Sequence, residues 1–552
     1  MRNIIIVTII VMFLYSLLPS VMAKDQDMYY AETTEVSEFN PIYTEDVISL
    51  RFTTLIFNSL VGEDPSLRLK PELLESLEPV SHDDLSYVFR LRKLRNQAGM
   101  EENIKWVGFN NDNEVCIIKD FTSEDVVYTF NAIKDSITPT MCEYVKKIFS
   151  DVRAVKGDDH LIEFVLSPDK KYMSEDINLI LRHLKFPIIP YLPPGVEYDC
   201  AEIKGKQIIG TGPFIAAEDP GRMIKLVRNP YYFEVSSIEK DSKKLEIGNI
   251  YMTEYPDSFS AKEDLIFPNP KSLKIHLITE LPLAYRRELN SLPIVTTARY
   301  ATNRFNFFAY NCRGVFSDVK SRQAFTHATD RKEMFINIYG DIYPDLQDKP
   351  LSQIKEILHS PLPFSQAPSD ITPLEYDVTK AKQLLNEARF ARKKVTLLTY
   401  RGEPDEDRIY QMFRTYIKNN LDIEVEIQGV STPEWKKRFE SGDFDIAFGT
   451  WVFDEDVNII QDLYSTSSPD NVVSYSNTKI ESMLRRYDQS GRPEIRTELK
   501  HEMARIIARE VPYTFLFQLP KYTAYRSDVL RVVALHPYNF FGFVENWYML
   551  KP

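Results

Sequence analysis

Amphipathic helices alternate with short apolar strands along the C-terminal half of the chain. The spacing of apolar residues predicts helices over 377–391, 405–420, 434–440 and 496–510, and strands over 394–400, 423–428, from Asp445 and over 513–518. Strands that alternate with helices are typical of a doubly wound sheet, in which helices cover both faces. The pattern therefore predicts an α/β domain in this half.

The N-terminal half shows the same two periodicities at wider intervals. Apolar residues three or four positions apart predict a helix over 46–60, and alternation of apolar and polar residues predicts strands over 87–92 and 160–166. Thr122 followed three residues later by Asp125 is typical of a helix start, since each side chain can bond a free backbone N–H. We therefore expect a helix to begin there.

The middle of the chain is less regular. The pattern predicts a long helix over 319–338 and then, over 340–374, an extended connection that contains six prolines. Residues 234–298 are polar and predict little beyond a strand over 274–278. Gly210-Thr-Gly-Pro-Phe214 predicts a turn, because it lacks the glycine spacing and the following helix of a phosphate-binding loop.

Composition and charge narrow the class of protein. The chain has 552 residues, 43% of them hydrophobic, which is enough for two or three domains. Its formal net charge is -13, and it has no run of basic residues. These features argue against nucleic acid or an anionic membrane surface as a partner.

The first residues differ from the rest of the chain. Arg2 precedes an almost unbroken apolar run over 4–18, and Val21-Met22-Ala23 offers small residues for cleavage before a polar segment. This arrangement predicts a cleavable signal peptide over 1–23 and therefore export to the periplasm. An uncleaved N-terminal anchor is the alternative, and no cysteine near the cleavage site could carry a lipid anchor.

Four cysteines are present, Cys116, Cys142, Cys200 and Cys312. Export would permit disulfides, but spacing cannot choose among the three possible pairings, so one or two disulfides or simply buried thiols remain open. No two cysteines have the close spacing of a zinc site. We expect no metal site and no cofactor.

The segment from Gly442 to Ser468 is the strongest candidate for chemistry. A short apolar strand there leads directly to Trp451, Phe453, Asp454 and Asp456. Open α/β sheets bind ligands at the carboxyl ends of their strands, and aromatic rings beside carboxylates suit an organic cation. The alternative is an ordinary strand end followed by a solvated acidic loop.

Several segments resemble, in sequence order, the motifs of one known family. They are Leu69-Lys-Pro-Glu-Leu-Leu-Glu-Ser-Leu77, the strand over 82–91, the helix start over 121–130, Gly210-Thr-Gly-Pro-Phe214, Arg228-Asn-Pro-Tyr-Tyr-Phe233, the segment 316–331 and the segment 376–388. Together they are similar to the extracellular solute-binding proteins of family 5. These proteins serve ABC importers and include oligopeptide- and dipeptide-binding members.

The resemblance implies an α/β periplasmic-binding-protein fold, type II-like and with an extra domain. In this fold two lobes joined by a hinge close over a ligand in the cleft between them. The implied boundaries are 24–70, 205–300 and 525–552 for lobe I, 71–204 for the inserted domain and 301–524 for lobe II. A monomer is expected. The usual segment before the helix at 122 is replaced over 99–118, and the family's GEIDI strand has no convincing counterpart in 245–290.

The resemblance also implies a function and a site. The protein is expected to capture peptides or peptide-like solutes and pass them to an inner-membrane ABC permease. Asp454 matches the aspartate that pairs with the ligand's α-amino group in peptide-binding members, with Asp456 as the substitute, and Trp451 and Phe453 are candidate pocket walls. An ammonium enclosed in a closed cleft needs such a charged partner.

Other functions stay open at this point. Within the same class, the ligand could be a sugar, a metal chelate or haem. An exported hydrolase is the alternative from another class, but the sequence has no GxSxG or HExxH motif and its eight histidines show no paired spacing. We therefore do not expect an enzyme.

Overall fold

The computed structural model describes most of the chain. The described residues are 26–44, 46–95, 99–136, 142–218, 223–233, 246–267, 275–300, 304–341, 343–363, 366–400, 404–452, 459–536 and 539–550. The predicted signal peptide over 1–23 lies outside them. In the described part, no helix is long and apolar enough to cross a membrane.

One lobe is built on a seven-stranded mixed sheet. Its strands, in spatial order, are Phe214–Glu218, Ile224–Arg228, Ile247–Glu254, Gln26–Glu32, Leu277–Ile278, Lys521–Arg526 and Val295–Tyr300. Gln26–Glu32 lies inside this sheet and pairs in parallel with both neighbours. Since alternate residues of a strand face opposite sides, Met28 and Tyr30 enter a large core on one face and Ala31 a smaller core on the other.

The region from 234 to 298, which the sequence pattern left largely unassigned, supplies much of this lobe. It contains the strands Ile247–Glu254 and Val295–Tyr300 and the helices Ser258–Ile266 and Leu283–Asn290. The predicted strand over 274–278 is present only as the two buried residues Leu277–Ile278. The described part of this polar region is therefore structured, because each element buries one narrow apolar face.

The inserted segment, together with the residues that flank it, forms a four-stranded sheet and several two-stranded hairpins. The strands of the four-stranded sheet, in spatial order, are Phe149–Ala154, Leu161–Leu166, Ser86–Arg90 and Ser81–His82. The hairpins pair Val61–Glu63 with Leu69–Pro71, Lys93–Arg95 with Glu101–Asn103, Lys105–Phe109 with Val115–Asp120, and Glu202–Ile203 with Lys206–Gln207. Its helical segments are Ser123–Lys134, Glu143–Ile148, Pro168–Glu175 and Ile177–Arg182. As predicted, Thr122 and Asp125 form a capping box at the start of Ser123–Lys134.

The described residues of the inserted segment share their core with lobe I. Phe89 and Phe164 of its sheet belong to the same continuous cluster of buried side chains as Phe52 and Phe541, which lie outside it. The inserted segment and lobe I are therefore packed as one body. The exact domain boundaries stay a prediction.

A close backbone contact fixes the position of the helix Val47–Thr54. Just after this helix, Ile56 accepts a hydrogen bond from the N–H of Gly212 at 2.7 Å. A Cβ atom at Gly210 would lie 2.1 Å from the same Ile56 carbonyl oxygen, and no side chain fits there. At the predicted turn the backbone therefore packs directly against the backbone of Ile56, and only glycine leaves room for this contact.

Lobe II is built on a five-stranded sheet. Its strands, in spatial order, are Glu424–Val430, Lys394–Tyr400, Ile446–Val452, Arg304–Tyr310 and Tyr513–Phe515. Helices and short 3-10 turns cover it, namely Val319–His327, Arg331–Tyr339, Pro344–Leu346, Leu351–Gln353, Val378–Glu387, Pro404–Leu421, Thr432–Ser441, Ile459–Tyr464, Thr478–Tyr487 and Pro493–Glu510. Phe305 and Phe307 face one core and Phe308 and Tyr310 the other, so both faces of the sheet are buried.

The predicted long helix over 319–338 is wrong, because the chain forms two helices there. Val319–His327 ends at Ala328, and Asp330 then caps Arg331–Tyr339 by accepting the N–H of Glu333 at 2.8 Å. The break places Arg331 inside the lobe, 4% exposed, where it donates to the backbone carbonyls of Leu358 and Phe515. An unbroken helix would not place it there.

The cysteines are present as four free thiols. Cys142 and Cys200 are buried, and burial raises the pKa of the Cys142 thiol to about 12. Of the two alternatives that the sequence left open, the structure has free thiols rather than disulfides.

Candidate ligand-binding cleft

A cavity of about 780 Å³ lies between the two lobes, where the chain passes from one sheet to the other. The strand Val295–Tyr300 of lobe I is followed by Arg304–Tyr310 of lobe II, and Tyr513–Phe515 returns to Lys521–Arg526. The cavity is lined by the helix Val47–Thr54 and by residues of the inserted segment, of lobe II and of the C-terminal region around Phe540. Every main part of the molecule thus contributes to its wall.

A buried charge network lies on the lobe I side of this cavity. Arg51, on the helix Val47–Thr54, is only 4% exposed and donates from Nη1 to both carboxylate oxygens of Glu32 at 3.0 Å. It also donates to Thr279 Oγ1 at 2.8 Å, to Glu280 Oε2 at 3.1 Å and to the hydroxyl of Tyr300 at 3.3 Å. Burial raises the pKa of Glu32 above its usual range, although the charge of Arg51 opposes that rise. The guanidinium of Arg51 therefore connects, through hydrogen bonds, segments that are far apart in sequence.

Two more cations lie where the chain crosses between the lobes. Lys521 forms an ion pair with Glu280, and its pKa is lowered by burial and by the nearby charge of Arg304, against the opposing effect of Glu280. Arg304 is half-buried and lines the cavity. Among the described residues no hydrogen-bond or ion-pair partner reaches its guanidinium, which is therefore available to an anionic group of a ligand.

The lobe II wall carries an aromatic ring and an acid. Trp451 is half-buried near the end of the strand Ile446–Val452, and its ring stacks on Phe307 with centroids 5.9 Å apart. Asp462 lies on the helix Ile459–Tyr464 and is also half-buried. Burial, together with the charge of Asp470, raises the pKa of Asp462 to about 6, whereas Lys147 acts in the opposite direction.

The predicted site residues have different outcomes. Trp451 lines the cavity, and its role as a pocket wall in contact with ligand stays a prediction. Phe453, Asp454 and Asp456 lie outside the described residues, so their roles also stay predictions. The sequence pattern missed Arg51, whose charge on an otherwise apolar helix face was the available signal.

The inserted segment and lobe II also touch beside the cavity. Gly491, in the loop before the helix Pro493–Glu510, packs so closely on the inserted segment that a Cβ atom there would lie 1.9 Å from the carbonyl oxygen of Tyr172. The guanidinium of Arg496 lies 5.2 Å from the ring centroid of Tyr172 and 3.7 Å from that of Tyr487. Gln461, next to Asp462, donates to Asp488 of the same region at 3.1 Å. The inserted segment and lobe II are therefore in direct contact in this structure.

Comparisons with known proteins agree with this architecture. Residues 68–471 match the family model described as bacterial extracellular solute-binding proteins, family 5 Middle. A probable D,D-dipeptide-binding periplasmic protein of Escherichia coli (strain K12) is 22% identical over 392 residues, which cover 69% of this chain and 70% of that protein. Heme-binding protein A of Haemophilus influenzae (strain ATCC 51907 / DSM 11121 / KW20 / Rd) is 24% identical over 487 residues, with coverage of 83% and 80%.

The fold also matches solved structures. The oligopeptide-binding protein AppA of Bacillus subtilis, solved in complex with a nonapeptide, superposes with a TM-score of 0.71 at 22% sequence identity, covering 95% of this chain and 99% of that one. This similarity confirms the predicted two-lobe α/β fold.

Proposed function

Because the chain belongs to the bacterial extracellular solute-binding proteins of family 5, we propose that it captures peptides or peptide-like solutes in the cleft between its lobes and delivers them to an ABC importer of the inner membrane. It acts in the periplasm as a monomer after removal of its signal peptide. It binds its ligand without chemical change.

The observation that carries this proposal is the convergence of polar and aromatic groups from both lobes on one cavity. Arg51 and Tyr300 come from lobe I, and Arg304, Trp451 and Asp462 from lobe II. A ligand shifts the equilibrium between open and closed lobes only if it binds the closed state better, which requires contacts with both. The cavity supplies such contacts.

Peptide is the favoured cargo because the cavity offers both signs of charge. A peptide carries an ammonium at one end and a carboxylate at the other, and Asp462 and Arg304 are charged groups without partners in the described part of the chain. The volume of about 780 Å³ lies within the range of about 300–1,000 Å³ that is usual for small-ligand sites. A peptide of a few residues fits this better than a long one.

The direct test is mass spectrometry of whatever is released when protein purified from its native host is denatured. We expect a set of short peptides. A single sugar, a haem with its visible absorbance, or a metal chelate would contradict the assignment to peptides, and turnover of a peptide library by the pure protein would contradict a role in binding alone.

Replacing Trp451 by alanine is expected to weaken the binding of peptides by about fivefold, because a ligand would lose its contact with this aromatic wall of the cavity. In the wild type the stacking on Phe307 holds the ring in place. Aromatic contacts of this kind contribute about 1 kcal/mol. Isothermal titration calorimetry would measure the change. The matched control is Trp435→Ala, since Trp435 belongs to the same core but does not line the cavity. An equal loss of affinity in both variants would contradict the assignment.

A further inference from the structure

We propose that Asp462 is a specificity-determining residue of the cleft, which binds a positively charged group of the ligand. This inference rests on the proposed function and adds a ligand class to it, namely peptides with an ammonium or guanidinium group in reach of the lobe II wall. Asp462 differs from the predicted anchor Asp454, which lies outside the described residues.

The position of Asp462 is the first argument. Its helix, Ile459–Tyr464, lines the cavity through Ile459, Asp462 and Leu463, with Trp451 nearby on the same wall. Ile459 and Leu463 are buried in the lobe II core, so the helix has little freedom to turn the carboxylate away. Asp462 is consequently held at an apolar and aromatic surface that lines the cavity.

The absence of a protein partner is the second argument. In the described part of the chain, no hydrogen bond or ion pair reaches the carboxylate of Asp462. The other described carboxylates of the lining have polar partners, apart from the exposed Asp470; they are Asp46 with Ser37, Glu63 with Lys185 and His536, Glu72 with Asn58, and Glu545 with Asn546. A half-buried carboxylate without a partner is costly, and a ligand cation would remove that cost.

The surrounding charges give this contact a pH dependence. Asp470 follows the helix in lobe II and repels a negative charge on Asp462, whereas Lys147 of the inserted segment attracts one. Burial and the repulsion by Asp470 outweigh the attraction by Lys147, and they raise the pKa of Asp462 to about 6. A bound cation favours the ionised carboxylate, so binding releases a proton around this pH. Affinity for cationic ligands is therefore highest above the raised pKa and falls as the pH drops through it.

The test compares three tripeptides, Ala-Lys-Ala, Ala-Gln-Ala and N-acetyl-Ala-Gln-Ala, by calorimetry with wild-type protein and with Asp462→Asn at about pH 7.5 and about pH 5. For wild type at the higher pH, we expect the two peptides with a cation to bind about tenfold more tightly than the acetylated peptide, whose only charge is its terminal carboxylate, and the difference to shrink at the lower pH. The lysine and glutamine peptides separate a contact with the side chain from one with the amino terminus.

In Asp462→Asn, both the preference for cations and its pH dependence should be lost, while the acetylated peptide, which has no cation, binds about as it does to wild type. Asp470→Asn is the second variant. It keeps the preference and moves the pH midpoint downward, because one repelling charge is gone. Peptide binding that is indifferent to Asp462→Asn at both pH values overturns this inference alone. Failure of all three peptides to bind wild type overturns it together with the proposed function.

Discussion

Replacing Arg51 by alanine is expected to lower the free energy of unfolding by about 3–5 kcal/mol, because Glu32 would be left as an unpaired charge at 4% exposure. Arg51 gives Glu32 two hydrogen bonds at 3.0 Å and also reaches Thr279 and Glu280. Chemical denaturation followed by tryptophan fluorescence would measure the loss.

The pH dependence of the Arg51→Ala variant gives a second check. Arg51 opposes the rise in the pKa of Glu32 that burial causes, so that pKa rises further when Arg51 is removed. A carboxyl whose pKa is raised in the folded state contributes stability below its unfolded pKa and loses it as the pH rises through the folded one. The variant should therefore be less impaired at about pH 5 than at about pH 8.

Arg68→Ala is the matched control for this prediction. Arg68 is 79% exposed, and within the described ranges its one ion-pair partner is Asp64, four residues earlier, so its loss should change the stability by less than about 1 kcal/mol. A loss of similar size for Arg51→Ala would show that the buried network contributes little.

Replacing Gly491 by alanine is expected to weaken ligand binding by about tenfold to a hundredfold. The added Cβ would lie 1.9 Å from the Tyr172 carbonyl oxygen, so the inserted segment and lobe II could no longer meet as they do here. Overpacking of this kind costs about 1–3 kcal/mol. The clash is relieved by opening the lobes, and the penalty therefore falls on the closed, ligand-bound state.

Two measurements test the Gly491→Ala prediction. Calorimetry gives the affinity, and small-angle scattering with saturating ligand should show a larger radius of gyration than for wild type. Gly314→Ala is the control, since a Cβ atom there meets nothing within 4 Å. Wild-type affinity and compaction in Gly491→Ala would mean that this contact does not belong to the ligand-bound state.

The elements that the sequence predicted well are those whose signal is local. The strand over 394–400 is present as Lys394–Tyr400, and the capping pair Thr122 and Asp125 marks the start of its helix. The motifs that resembled family 5 led to the correct family. Periodicity, caps and ordered motifs need no knowledge of distant contacts.

The elements that the sequence missed depend on partners far along the chain. Ile247–Glu254 is a strand because Gln26–Glu32 pairs with it across more than two hundred residues. The contacts of Arg51 with Thr279 and Tyr300 are equally distant, with separations of 228 and 249 residues. Asp462 lies within the segment that the sequence singled out, but only the assembled cavity shows that, among the described acids of this segment, Asp462 has no hydrogen-bond or ion-pair partner. No local pattern contains this information.

The common core of lobe I and the inserted segment means that only two bodies can move relative to each other when the cleft opens or closes, although the chain has three parts. Two crossovers, near Arg304 and Lys521, join these bodies, and a separate contact joins Tyr172 of the inserted segment to Gly491 of lobe II. A rotation of one body about the crossovers would change the spacing between Tyr172 and Gly491. A permease that touches both bodies could distinguish loaded protein from empty protein by their spacing, without contacting the cargo.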